Sequence, residues 1–387
     1  MDPQALALAH RVIWIGFVLA TVFGAVAART DFCALGAVYD ALKLKRWGRM
    51  RAYFLAIAIA VIGANLLDLS GTVDLARSIY PVAQLHWLSN LVGGLLFGIG
   101  MVYAMGCAHR SLVRVGGGSL RALVILLVMG ISGYMTLRGL FGQWRVSYLD
   151  PVSIDLTQYG IGGQDLASLF AGTLGFDHYQ LQALFTVIVA GGFLFFVFRD
   201  RNFVRDSRNM LGGVGVGLLV VAAWYVTGHL AFYNDGLETH YLTGGAGHPG
   251  SYTFVAPVAR TLEWLMLYTD ASMKISFGIV SALGVVFGSF LWSQYSRTFR
   301  WEGFRSVADL RNALLAGVFM GFGGVTGMGC TIGQGITGVS TLAVGSMITL
   351  AGILLGAVLM YRVPVWWAVY RMNREDLWED VLTLMKR

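Results

Sequence analysis

The sequence predicts an all-α polytopic membrane protein of about nine transmembrane helices, with short re-entrant helices and an inverted internal repeat. Three observations carry that prediction. Hydrophobic residues fill 56% of the 387 positions and charged residues only 13%, whereas an ordinary soluble domain is about 25% charged and needs that polar surface to cover itself. Glycine occupies 51 positions, nearly double the usual share of about 7%, while proline, at six, is too scarce for a collagen-like or disordered chain. The apolar residues also fall in runs of about 20, the length that crosses a hydrocarbon core.

In chain order the runs are 10–28, 52–70, 89–106, 120–140, 181–198, 211–230, 272–292, 312–329 and 342–361. The gaps between them alternate in charge. Segments 29–51, 109–121, 199–210, 293–311 and 362–387 hold 6, 3, 4, 4 and 5 Lys or Arg, together 22 of the 28 in the chain. Segments 1–9, 71–88, 141–180, 231–271 and 330–341 hold only Arg77, Arg145 and Arg260. Basic loops stay in the cytoplasm, so the N-terminus lies outside and the C-terminus inside. Ala25-Val26-Ala27 imitates a signal-peptidase site, but cleavage there would strand the most basic loop outside, against the same rule. Trp366 and Trp367 are placed as interface anchors. The net charge of +7 does not indicate nucleic acid, because the basic residues form loop clusters rather than a stripe with interleaved aromatics.

Self-similarity supplies the repeat. Gly98, Gly100, Met105, Gly106, Cys107 and Gly133 recur 223 residues later as Gly321, Gly323, Met328, Gly329, Cys330 and Gly356. Gly24 precedes Cys33 by nine, as Gly98 precedes Cys107 and Gly321 precedes Cys330. A weaker, cysteine-free echo runs from Gly217 to Thr227 and Gly228. Span five is an odd linker, so the third span runs inward and its counterpart, the eighth, outward. The chain accordingly divides into a first repeat over 1–175, a linking span over 176–208 and a second, inverted repeat over 209–387. Inverted repeats place substrate near the midplane of secondary transporters. The segments Met105–Arg110 and Gly323–Gly338 are too glycine-rich for plain helix interiors. They read as broken helices, whose irregular backbone must be buried in protein or line a cavity.

Two accounts of these breaks stand side by side. In one, glycines serve close helix packing and the cysteines are small apolar fillers. In the other, glycine frees N–H groups at half-helix N-termini, which favour anions, and each cysteine adds a soft, weakly donating S–H. The second combination suits a small anion with a soft atom, such as an oxyanion of sulfur. Cys33, Cys107 and Cys330 are odd in number and far apart, without C-x-x-C, which argues against a disulfide framework or a zinc site. Asp31 stands two residues before Cys33 as a hydrogen-bond or proton acceptor, or else as a solvated loop acid. His109 and Arg110 adjoin Cys107 and either hold an anion or, for Arg110, mark the membrane boundary. Thr331 and Gln334 are candidate donors beside Cys330. His229, His240 and His248 lack ligand spacing, so no metal and no cofactor is expected.

Asp31-Phe-Cys33-Ala-Leu-Gly36, Phe97-Gly-x-Gly100 with Met105-Gly-Cys107, and Gly321-Phe-Gly-Gly324 with Gly327-Met-Gly-Cys330 resemble the YeeE/YedE membrane proteins, inorganic-sulfur transporters that include thiosulfate uptake proteins. Ser251–Pro257 with Thr261 and Leu262 resembles that family's outer loop. The resemblance implies a non-enzymatic transporter of the bacterial cytoplasmic (inner) membrane. It implies an hourglass-shaped bundle with inward-dipping loops, in which three thiols hand thiosulfate along without a covalent step. Substrate contacts are then expected at Cys33, Cys107, Cys330, Gly106, Gly329, Thr331, Gln334 and Asp31, with Cys330 nearest the outer face. The small sulfur-carrier domain fused to some relatives is absent, so such a partner would be a separate cytoplasmic protein. The alternatives are transport of a selenium compound or another inorganic sulfur species and, in a different class, a membrane thiol oxidoreductase. The last would need two cysteines within exchange distance. No Walker-type G-x-x-x-x-G-K-[ST] occurs, so the chain does not hydrolyse ATP to drive transport.

Overall fold

The computed structural model describes residues 3–175, 177–234, 239–244, 247–270 and 273–362. The basic C-terminal segment with Trp366 and Trp367 lies outside them. The helices are α1 (Pro3–Thr30), α2 (Ala34–Tyr39), α3 (Gly48–Leu69), α4 (Trp87–Ala104), α5 (Ala108–Gly116), α6 (Leu120–Arg138), α7 (Leu140–Trp144) and α8 (Leu166–Leu174). They continue as α9 (His178–Phe198), α10 (Arg201–Arg205), α11 (Ser207–Tyr225), α12 (Val255–Met266), α13 (Phe277–Tyr295), α14 (Val307–Thr326) and α15 (Val344–Arg362). Among the described residues, sheet is confined to two antiparallel pairs, Gln84–Leu85 with Ile154–Asp155 and the hairpin Phe232–Asn234 with Thr239–Tyr241.

Each of the nine expected runs contains a helix, but among the described residues only eight helices are long and apolar enough to cross a membrane. The exception is α14. Its first turns carry Asp309 and Arg311 and its second half is glycine-rich, so its mean hydropathy falls short although it packs centrally against α4 and α6. The seventh run, placed at 272–292, begins instead at Phe277, where Ser276 caps the helix by accepting from the Ile279 N–H at 3.3 Å. The loop expected over 231–271 contains α12, too short at 12 residues to register as a span. Ala25–Ala27 lie inside α1, with Ala27 fully buried.

Helix pairing explains most of the glycine. α1 lies along α13, α4 and α6 flank α14, and α3 packs against α11 and α9. A Cβ on Gly284 would stand 2.8 Å from the Phe17 carbonyl of α1, and one on Gly94 2.5 Å from the Thr349 carbonyl of α15. Backbones that close admit no side chain, which is how membrane helices gain packing without a hydrophobic drive. The outward faces carry Val18, Leu127, Val187, Phe195, Phe287 and Leu359, all exposed, as lipid contact requires.

Candidate functional site

Three helices end in the same way. The chain turns left-handed at Asp31 (φ 57°), Met105 (φ 55°) and Met328 (φ 59°), each two residues before a cysteine. The next N–H then reaches back five residues: Phe32 to Ala27 (3.3 Å), Gly106 to Met101 (3.0 Å) and Gly329 to Gly324 (2.7 Å). These are Schellman-type stops, with Asp or Met rather than glycine in the left-handed position. Gly106 and Gly329 therefore have their N–H groups committed to closing α4 and α14. Their value is space: a Cβ would stand 2.9 Å from Arg110 Cγ or 3.0 Å from Gln334 Cγ.

After each stop the cysteine opens a new short helix. Cys33 caps α2, its Sγ accepting from the Gly36 N–H at 3.5 Å. Cys107 occupies the cap position of α5. Cys330 precedes the wide helical turn Gly333–Gly338, its Sγ accepting from the Gly333 N–H at 3.4 Å. All three thiols therefore stand at half-helix N-termini, where unsatisfied N–H groups give positive potential. All three are free and buried.

The side chains converge across the repeats. Cys33 and Cys107 lie near enough for their thiols to influence one another. Cys107 Sγ lies 2.9 Å from His109 Nδ1, whose Nε2 lies 2.9 Å from the Phe32 carbonyl. A carbonyl only accepts, so Nε2 carries the ring proton, Nδ1 is the acceptor, and the Cys107 thiol donates. Tyr53 spans to the other repeat by donating to the Thr331 carbonyl at 2.6 Å. Thr331 stands beside Cys107, and the Thr331 hydroxyl and Gln334 Oε1 are buried without a regular hydrogen bond. Phe23, Tyr252 and Phe254 close the ring, with Tyr252 and Phe254 parallel at 6.1 Å between centroids.

Two cavities approach this waist from opposite ends, and the cysteines line neither. One, about 1500 Å³, is walled by Arg29, Arg110, Arg114, Arg121, Arg208, Arg300 and Arg305 with Asp31, Glu302 and Asp309, and reaches Met105. The other, about 290 Å³, gathers Tyr80, Thr243, Ser251, Thr253, Pro257 and Arg260, and reaches Met328 and Gly329. Residues of the basic segments 29–51, 109–121, 199–210 and 293–311 thus line one cavity, and residues of the poor segments 71–88, 141–180 and 231–271 the other. α4 ends at the basic cavity, whereas α14 starts there, beside Ser306 and Asp309, and ends at the other. The two 223-residue counterparts are inverted.

Asp31 accepts from Arg49 at 2.5 Å and pairs with Arg110 at the floor of the basic cavity. Cys33, Cys107 and Thr331 come together at the waist, with Cys330 and Gln334 on the adjoining turn; Asp31 stays at its rim. Sequence reading placed His109 beside Arg110 on the cytoplasmic side, yet His109 is fully buried against the thiol. It missed Tyr53 altogether, although a hydroxyl inside an apolar span is itself a signal. The Ser251–Pro257 segment, expected as an outer loop, brings Tyr252 and Phe254 to the waist.

Two curated relatives are similar over nearly the whole chain. The thiosulfate transporter TsuA of Spirochaeta thermophila is 25% identical over 351 residues, covering 89% of this chain and 97% of that protein. The thiosulfate transporter TsuA of Escherichia coli K12 is 25% identical over 383 residues, covering 93% and 95%. A family model described as sulphur transport matches residues 29–359. That range holds the three helix stops and the three cysteines that follow them, and this multi-pass chain belongs to the sulphur-transport family.

Proposed function

We propose that this protein carries thiosulfate into the cytoplasm along a path through the waist. The observation that supports the reading best is the placement of three buried thiols at three half-helix N-termini between two opposed cavities. The terminal sulfur of thiosulfate is soft and accepts weak S–H donation, while its oxygens suit the helix N–H groups and the buried Thr331 hydroxyl. Met328 and Gly329 at the smaller cavity make Cys330 the first thiol met; Cys107 and Cys33 follow toward the basic cavity. No covalent step is needed. A membrane potential opposes entry of each negative charge by about 2.3 kcal/mol per 100 mV, and the arginine-lined cavity offsets part of that on the receiving side.

By the positive-inside rule the basic cavity faces the cytoplasm of a bacterial inner membrane, with the N-terminus outside and the C-terminus inside. The halves 1–175 and 209–387 act as inverted repeats about the link 176–208. The same arginine-lined mouth is where a separate small sulfur-carrier protein would collect the anion.

The test is growth of a cysteine-requiring bacterium without its own thiosulfate importers, supplied with thiosulfate as sole sulfur source. Wild-type chain restores growth. Failure of a well-expressed wild type to restore growth, with growth on a different sulfur compound or direct uptake of a labelled selenium compound instead, would overturn the choice of substrate.

A further inference from the structure

A third cavity, about 290 Å³, lies away from the thiol path, between α3, α9 and the segment that follows the Gly333–Gly338 turn. Asn65, Asp68, Asp165, His178, Gln182 and Thr341 line it. Gln182 is only 5% exposed. Its Nε2 donates to Asn65 Oδ1 at 3.0 Å and to Asp68 Oδ2 at 2.6 Å. Both partners are acceptors, so the amide has one possible orientation, and Gln182 Oε1 is left buried without a partner.

The carboxylates differ in their company. Asp165 accepts from the Ser168 N–H at 2.9 Å and faces His178 Nε2 at 3.2 Å. Asp68 accepts from the Leu75 N–H at 3.0 Å and from Gln182, with Asp74 and His178 as further charged or titratable neighbours. Among the described residues no Lys or Arg pairs with Asp68. A partly buried carboxylate in a low-dielectric wall calls for a compensating positive charge.

We propose that this cavity binds a hard monovalent cation of the sodium class, held by the Asp68 carboxylate with the Gln182 and Asn65 amide oxygens. One spare carboxylate and neutral oxygens suit a single charge; calcium takes six to eight oxygens, usually with several carboxylates. Among the described residues no three His, Cys, Asp or Glu side chains converge as a metal cluster. The site is tied to the transport path through Asn65, whose Nδ2 donates to the Ser340 carbonyl at 2.9 Å. Thr341, on the cavity wall, donates to the Gly338 carbonyl at 2.8 Å. A cation here braces the end of the turn that carries Gln334 and follows Cys330. It also brings positive charge into the protein that carries the anion. Sodium binding stands whether or not thiosulfate is the anion carried.

The experiment uses the purified full-length chain in lipid nanodiscs without thiosulfate. Thermal unfolding is followed while sodium chloride replaces N-methylglucamine chloride at fixed ionic strength and pH, and radioactive sodium binding is measured in parallel. The expected result is a saturable sodium-specific rise in Tm and a matching binding isotherm. Asp68→Asn weakens the apparent sodium affinity at least tenfold, Gln182→Met weakens it in the same direction, and Glu263→Gln, far from the cavity, leaves it unchanged. Should Asp68→Asn not fold, Gln182→Met and the binding isotherm decide. An equal response to both cations, a response that follows pH instead of sodium, or wild-type affinity in both cavity variants would overturn the proposal.

Discussion

At the scale of single residues, the waist is a set of paired donors and acceptors whose partners come from distant parts of the chain. Cys107 is committed as a donor to His109, which is itself oriented by the Phe32 carbonyl. Removing the imidazole frees that thiol and leaves the Phe32 carbonyl buried without its donor, at a cost of about 1–3 kcal/mol. His109→Ala is expected to lower thiosulfate uptake at least tenfold, while the protein still migrates as a folded species in size-exclusion chromatography. Unchanged uptake would show that the pair is structural only. The proximity of Cys33 and Cys107 makes a second prediction. A membrane-permeant oxidant takes two electrons and two protons from this pair to form a disulfide, so titratable thiols fall from three to one, uptake stops, and a reductant restores both. Loss of all three thiols, or of none, would contradict the arrangement. The cysteines themselves and His109 beside Cys107 were legible in the sequence, but the pairing was not, because a spacing of 74 residues between Cys33 and Cys107 says nothing about proximity.

Among the elements, the repeated unit is a long helix, a left-handed stop, a capping cysteine and a short second helix. The Met-Gly-Cys pattern and its 223-residue offset made two copies visible in the sequence, and the shared Gly-to-Cys distance made the first. What the pattern hid was the division of labour at the break. Glycine was expected to free N–H groups for an anion, but those of Gly106 and Gly329 close the preceding helices, and Asp31, Met105 and Met328 hold the left-handed angle. The neighbouring glycines instead make room for side chains. Glycine inside the Cys330 turn is the sharper case, since a Cβ on Gly335 would collide with the Tyr53 hydroxyl that holds the Thr331 carbonyl. Gly335→Ala is expected to destabilise the protein by about 1–3 kcal/mol, the usual cost of overpacking, measured as a fall in denaturation midpoint in detergent. Tyr53→Phe in the same background removes the obstructing oxygen and should recover part of that loss. The element that sequence reading missed, α12, has only 12 residues and begins in a polar, proline-containing segment, so neither length nor hydropathy announced it.

For the whole molecule, charge alternation was the most informative property of the chain. It sorted the connecting segments into two groups, and four of the basic segments and three of the poor ones line the two opposed cavities. Apolar length found every helix that crosses, whereas hydropathy alone undervalues α14, which is central because it is glycine-rich enough to let α4 and α6 approach. The orientation is testable. In a background with the native cysteines replaced by alanine, Arg208→Cys should react with an impermeant thiol reagent only from the cytoplasmic face, and Thr253→Cys only from outside; the opposite pattern would invert the transport direction proposed here. The central claim, that thiols carry the anion through the waist, is tested most directly by uptake of radiolabelled thiosulfate into proteoliposomes containing matched amounts of wild type, Cys33→Ala, Cys107→Ala or Cys330→Ala. Uptake by wild type with a loss of at least tenfold in each variant is the predicted result, and wild-type uptake in all three would contradict it.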